Sequence, residues 1–307
     1  MTASHPTRFG TVLTAMATPF DASGGLDLDG AVTLARYLVA HGSDGLVLTG
    51  STGEAATLSD EERVALWRSV AEAVSVPVLA GATSNDTRHS IELTKLATGA
   101  GVDGILAVAP YYNRPSQAGI TAHFTAIAAA TRLPIVLYDI PVRTGRKIAA
   151  ETILLLASEV ENIVGLKDAA GDAPATARLL ARTPAGFECY CGDDAMTLPL
   201  LSVGAVGLIG VATHWCGVEC GEMIDQFRSG DVQGALEVAR ALIPSFVFES
   251  GDDAPNPVPV KAVLRVLGLP AGECRLPLGP TPAGLEERAR TVLADLEAWR
   301  GSRGARG

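Results

Sequence analysis

Residues 45–82 read GLVLTGSTGEAATLSDEERVALWRSVAEAVSVPVLAGA, and their order decides the fold. GLVLTG is a short apolar run, and VPVLAGA at 76–82 is a second. Both are apolar at consecutive positions, as strands covered on each face are, rather than alternating as half-exposed strands do. Between them SDEERVALWRSVAEAV, residues 59–74, carries a helix start signal, with Ser59 as N-cap and Glu62 placed to close a capping box. A buried strand, a capped helix and another buried strand make one parallel βα unit.

The same alternation runs from residue 11 to about 215. Eight runs can be counted: TVLTAMATP, GLVLTG, VPVLAGA, GILAVAP, PIVLYDI, IVGLKDA, FECYCGDD and GLIGVAT. No Gly-x-Gly-x-x-Gly follows the first of them, so an open dinucleotide-binding sheet is disfavoured and the expected α/β fold is a (β/α)8 TIM barrel. After Thr213 the pattern is helical only, in VECGEMIDQFRSG, VQGALEVARALIPSF, VPVKAVLRVLG and GLEERARTVLADLEAWR. The expected divisions are a barrel over 1–215, a C-terminal helical extension over 216–300 and a disordered Gly/Arg tail over 301–307.

Composition narrows the partners. The 307 residues are 48% hydrophobic and 19% charged, enough apolar material for a large core. A net charge of −10, with arginines scattered along the chain, excludes a phosphate-backbone surface, so no nucleic acid is expected. The opening MTASHPTRFG has no apolar h-region, and no run approaches the roughly 20 apolar residues of a membrane span, so no membrane partner and a cytoplasmic location are expected. Cys189, Cys191, Cys216 and Cys220 form no CxxC pair and are read as small buried thiols. The five histidines make no HExxH, so neither a metal nor another bound cofactor is expected.

In a barrel of this kind the chemistry lies where strands end. Strand 2 ends in Gly50-Ser51-Thr52-Gly53-Glu54, strand 4 in Tyr111-Tyr112-Asn113, strand 5 in Tyr138-Asp139 with Arg143 beyond, strand 6 in Lys167-Asp168 and strand 7 in Gly192-Asp193-Asp194. Each has a plain structural reading. Gly-Ser-Thr-Gly can be a turn capping a helix, a lone tyrosine can be a rim residue, and Asp193 and Asp194 are read as caps of a helix beginning near Met196. Arg143 suits either a surface charge or a substrate clamp.

Lys167 resists such a reading. It lies in NIVGLKDAAG, between Val164, Leu166 and the Ala169-Ala170 pair, where an ammonium must reach the mouth or lose its proton. The chain has four lysines against twenty arginines, so a merely basic position would more often be arginine, which forms no imine. A lysine amine condenses with a ketone to a Schiff base whose cation acidifies the neighbouring carbon, giving an enamine nucleophile. That amine must be neutral, and bringing a lysine from about 10.4 toward 7 costs roughly 4 to 5 kcal/mol, which apolar burial supplies. Tyr138, a strand-4 tyrosine and Ser51 suit the accompanying proton transfers.

GLVLTGSTGEAATL, PYYNRPS, YDIPVRTG, NIVGLKDA, CGDDA, PNPVPVKA and RLPLGP, in this order over residues 9–295, resemble the class I pyruvate aldolase family of dihydrodipicolinate synthase and N-acetylneuraminate lyase. The 29 residues from Tyr138 to Lys167 match the family spacing. The resemblance implies that Lys167 forms the imine, Tyr138 donates and accepts protons, and Ser51 and Tyr112 complete a relay, Tyr112 across a subunit boundary. It further implies that Thr52 holds the pyruvate carboxylate, that Gly192 and Ile209 line the pyruvate pocket through their backbones, and that Arg143 binds the carboxylate of aspartate semialdehyde. No cofactor beyond the covalent imine, and a homotetramer built as a dimer of dimers, are implied with them.

PYYNRPS, Arg143, GDDA and PNPVPVK are most similar to the synthase branch, which condenses pyruvate with L-aspartate 4-semialdehyde in lysine and diaminopimelate biosynthesis. Two alternatives keep the pyruvate site: an aldolase for N-acetylneuraminate or a 2-keto-3-deoxy sugar acid, and a silent keto-acid-binding paralogue. Ser51 stands where the synthases mostly have threonine and Asp139 where asparagine is common, departures that bear on the acceptor. At the positions of the family's lysine effector site the chain has Ala55, Asp60, Arg63 and His89, with Asn85 retained, so weak or absent inhibition by lysine is expected.

Overall fold

A computed structural model describes residues 7–304. Eight parallel strands, β1 Val12–Ala15, β2 Gly45–Leu48, β3 Val78–Gly81, β4 Gly104–Val108, β5 Ile135–Asp139, β6 Ile163–Asp168, β7 Glu188–Cys191 and β8 Gly207–Gly210, close into a barrel in chain order, with β8 paired to β1. Each lies within one of the eight runs read from the sequence. The helices are α1 Leu28–Ala40, α2 Asp60–Ala73, α3 Thr87–Gly99, α4 Gln117–Ala128, α5 Pro141–Thr144, α6 Ala150–Glu159, α7 Ala173–Leu180, α8 Thr197–Leu201, α9 Thr213–Ser229, α10 Val232–Phe248, α11 Val258–Val266 and α12 Leu285–Gly304. The Ser59 capping box opens α2 with both of its reciprocal hydrogen bonds.

Strand alternation sorts the apolar residues into two cores. One set points inward and fills the barrel, with Phe9, Leu13, Val47, Leu79, Leu106, Val136, Tyr190 and Ile209 among its members. The other points outward, as Leu46, Leu48, Ile105, Leu137 and Leu166 do, and packs beneath the helices. The two-sided burial explains why the strands read as continuous apolar runs. It also fixes which strand-end side chains reach the mouth: Tyr138 and Lys167 belong to the inward set, and Asp139 and Asp168, one position later, to the outward one.

Two expected boundaries move. The helix starting at Thr213 packs on β1 and α1, so α9 is the eighth helix of the barrel ring rather than the start of the extension. The extension is α10 to α12. The tail expected to be disordered from residue 301 instead continues α12 to Gly304, where Arg303 pairs with Glu222 and lies over the Trp299 ring. Residues 305–307 of that expected tail lie outside the described residues.

Candidate active site

Lys167 and Tyr138 are register partners on β6 and β5, and the lysine Nζ stands 4.5 Å from the centre of the tyrosine ring. Lys167 is 4% exposed. Burial lowers its ammonium to about 8, although Asp194 and Cys191 act in the opposite direction. Desolvation therefore outweighs nearby negative charge, and a usable fraction of free amine exists near neutrality. Burial raises the Tyr138 phenol to about 12, against which Arg143 and the Ser51 hydroxyl pull it down. A phenol in that range stays protonated and can pass a proton without adding a charge to the site.

Gly192 makes room for the lysine. A Cβ there would stand 2.9 Å from both Cε and Cγ of Lys167 and 3.0 Å from the Ala169 Cβ. Its backbone N–H donates to Asp168 O at 2.8 Å, continuing the β6–β7 ladder past the last strand residue.

The Ser51-Thr52 turn is held from far along the chain. Asn256, ahead of α11, donates from Nδ2 to Thr52 Oγ1 at 2.9 Å. Lys261 on α11 meets Glu54 at 2.6 Å with both side chains wholly buried, and its Nζ lies 4.1 Å from the centre of the Phe20 ring. Glu54 also accepts the Arg275 backbone N–H at 2.8 Å. The PNPVPVK segment thus grips the hydroxyl turn at two points. The extension forms part of the wall of the barrel mouth.

Two cavities share part of their lining at the barrel mouth. One, of about 270 Å³, is lined by Lys167, Tyr138, Ser51, Thr52, Gly192 and Arg143. The other, of about 420 Å³, shares Ser51, Tyr138 and Arg143 and adds Tyr111 and Arg63. Six of the eight site residues read from the sequence therefore converge. The other two do not line these cavities. Ile209 is fully buried in the barrel interior, and Val211, just after β8, lines the cavity wall instead. Tyr112 is 89% exposed and has a φ of 71°, while Tyr111 faces the cavity of its own chain.

The strand-end acids divide. Asp193 caps its own short turn by accepting from Ala195 N. Asp194, read as a second cap, instead accepts from Val211 N and Ala212 N and ties β7 to the loop after β8. Asp139 turns away from the mouth and binds Lys147 Nζ at 2.9 Å and Ile148 N at 3.1 Å. Its carboxylate is a strut for the segment ahead of α6, so the departure at this position leaves the acceptor cavity untouched.

Sequence reasoning missed Asn256 and Glu249, both of which line the Lys167 cavity from the extension. Along the chain PNPVPVK carries only the family resemblance, and no local pattern tells a side chain that it will meet a turn two hundred residues upstream. Near the relay, His89 and Asp60 pair at 2.9 Å, Arg63 is buried and donates to Ala55 O at 2.5 Å, and Asn85 O accepts from Asn113. All five cysteines are buried and free. Among the described residues no group of three or more His, Cys, Asp or Glu is arranged to hold a metal, and no helix is long and apolar enough to cross a membrane.

The chain is similar to known proteins. The chain is 53% identical to the 4-hydroxy-tetrahydrodipicolinate synthase of Moorella thermoacetica over 94% of its own length and 97% of that protein's. It is 50% identical to the enzyme of the same name from Acidothermus cellulolyticus, over 95% and 94%. A crystal structure of the Cyanidioschyzon merolae enzyme with lysine bound superposes with a TM-score of 0.92 at 43% identity, covering 95% of this chain and 99% of that one. The Dihydrodipicolinate synthetase family model matches residues 8–297, and the chain belongs to that family.

Proposed function

We propose that the site condenses pyruvate with L-aspartate 4-semialdehyde to 4-hydroxy-tetrahydrodipicolinate, the reaction of the synthases it resembles, through an imine on Lys167. The juxtaposition of Lys167 with Tyr138 carries the reading: a buried amine lowered to about 8 beside a phenol that keeps its proton. Thr52, steadied by Asn256, receives the pyruvate carboxylate. Lys167 Nζ adds to the keto carbon, Tyr138 returns a proton to the carbinolamine oxygen, and water leaves. Loss of a methyl proton from the cationic imine then gives the enamine, whose carbon attacks the aldehyde.

Arg143, at the junction of both cavities, is the clamp for the aldehyde's own carboxylate. The amine of the semialdehyde closes the ring and releases Lys167. Ser51 passes protons from Tyr138 outward, toward Tyr112 of a second subunit. The 89% exposure of Tyr112 supports this handover, because it leaves the phenol free to reach a second subunit. We assign the assembly as a homotetramer made of paired dimers, acting in the cytoplasm and without a metal.

Borohydride reduction in the presence of pyruvate tests the chemistry. Mass spectrometry is expected to place the reduced adduct on Lys167, and an adduct elsewhere or none at all removes the imine reading. Steady-state comparison of acceptors tests the substrate: preference for N-acetylmannosamine or glyceraldehyde over aspartate semialdehyde assigns the chain to the sugar-acid aldolases instead.

A further inference from the structure

The Lys167 cavity holds one ionisable side chain that no strand end supplies. Glu249, directly after α10, is 9% exposed and lines the cavity together with Lys167 and Asp194. Its Oε2 has no hydrogen-bond partner among the described residues. An unpaired buried carboxyl oxygen is costly, and the cavity it faces contains a nitrogen that becomes cationic during turnover.

The groups around the two side chains are few. Tyr138 faces Lys167, the charges of Asp194, Cys191, Arg143 and Glu249 act on it, and Asp194, Asp193, the Ala212 N–H and Cys220 act on Glu249. Asp194 is fixed by the backbone N–H groups of Val211 and Ala212. Glu249 has no such anchor on Oε2. Burial pushes both carboxyls upward, Asp194 to about 6 and Glu249 well above its usual range.

We propose that Glu249 is a positioning residue which, with Asp194, supplies the counter-charge for the nitrogen of Lys167 when pyruvate converts it to a cationic imine. This rests on the imine reading of Lys167. A second carboxyl in the pair lets the site hold negative charge while the imine exists and take up a proton when the free amine returns. The amine and its counter-charge come from different parts of the fold, β6 and the C-terminal extension.

The test is the pH dependence of imine trapping. The full chain is incubated with pyruvate and cyanoborohydride across the neutral and alkaline range, and the rate of adduct formation on Lys167 is read by intact mass. The wild-type rate is expected to titrate with a midpoint near 8. In Glu249→Gln the midpoint moves to lower pH by about half a unit, since an opposite charge that favours the ammonium is gone, and KM for pyruvate rises several-fold. Glu249→Asp keeps the charge and restores the midpoint toward wild type. Should Glu249→Gln not fold, Glu249→Ser carries the same expectation. A slower rate at every pH with an unmoved midpoint, in whichever variant folds, reduces Glu249 to packing and overturns the proposal. Absence of a wild-type adduct on Lys167 is a separate result, which removes the imine reading itself.

Discussion

Lys167 and Tyr138 sit opposite one another across the β5–β6 ladder, with the lysine Nζ 4.5 Å from the tyrosine ring centre. A ring face favours the ammonium, and desolvation disfavours it. Desolvation wins, because the group lies near 8 rather than 10.5. The barrel therefore carries an energetic burden at the point where its chemistry begins.

That burden is measurable. Holding the ammonium near 8 instead of 10.5 costs the folded chain about 3 kcal/mol at neutral pH. The folded value is lowered, so the cost is complete below pH 8, fades between 8 and 10.5 and vanishes above. Lys167→Met, similar in length and uncharged, is expected to be inactive and more stable at pH 7 by up to about 3 kcal/mol. Urea denaturation at neutral and strongly alkaline pH checks it, the gain being expected to shrink as pH rises.

Gly192→Ala tests the room left for the lysine. The new Cβ meets backbone-anchored Ala169 and the Lys167 stem within 3.0 Å, so the amine must shift. An ångström of misplacement costs on the order of 100-fold in rate. Adduct formation is expected to slow by about that factor, while the urea midpoint falls little. An adduct rate within twofold of wild type contradicts the contact.

The Glu54–Lys261 pair is wholly buried, which makes each partner dangerous without the other. Lys261→Met leaves a lone carboxylate and is expected to cost about 3 to 5 kcal/mol. Adding Glu54→Gln removes that charge while keeping an acceptor for the Arg275 N–H, and is expected to recover about half of the loss. A double-mutant cycle in urea measures both values.

Much of this architecture was legible along the chain, and the reasons are local. Strands covered on both sides advertise themselves by uninterrupted apolar runs, and Ser59 and Glu62 announce α2 by a hydrogen-bond pattern closed within four residues. Lys167 stood out because lysine inside an apolar strand contradicts its surroundings. Asp194 and Asp139 were harder, since a carboxylate at a strand end can cap forward or bind sideways, and only the closed barrel brings Val211, Ala212 and Lys147 beside them. Asn256 and Glu249 were invisible as site residues, because their partners belong to strands made long before them.

Lysine is expected to inhibit this chain weakly or not at all. His89 and Asp60 satisfy each other at 2.9 Å, and Arg63, at one of the positions that the resemblance assigns to the effector site, carries a buried guanidinium. Like charges in a desolvated pocket repel strongly. Initial rates in millimolar lysine are expected to match those without it, and Arg63→His combined with His89→Glu is expected to raise sensitivity. Full inhibition of the wild-type chain by millimolar lysine contradicts the reading.

The hydrogen bond between Asn256 and Thr52 spans 204 positions, and this has a consequence for the order of events during synthesis. When the hydroxyl turn leaves the ribosome, the residue that steadies it has not been translated. Lys167 also emerges before α10 and α11 exist. On the proposed roles, a nascent barrel carries its amine before the residue that steadies the Thr52 hydroxyl has been made.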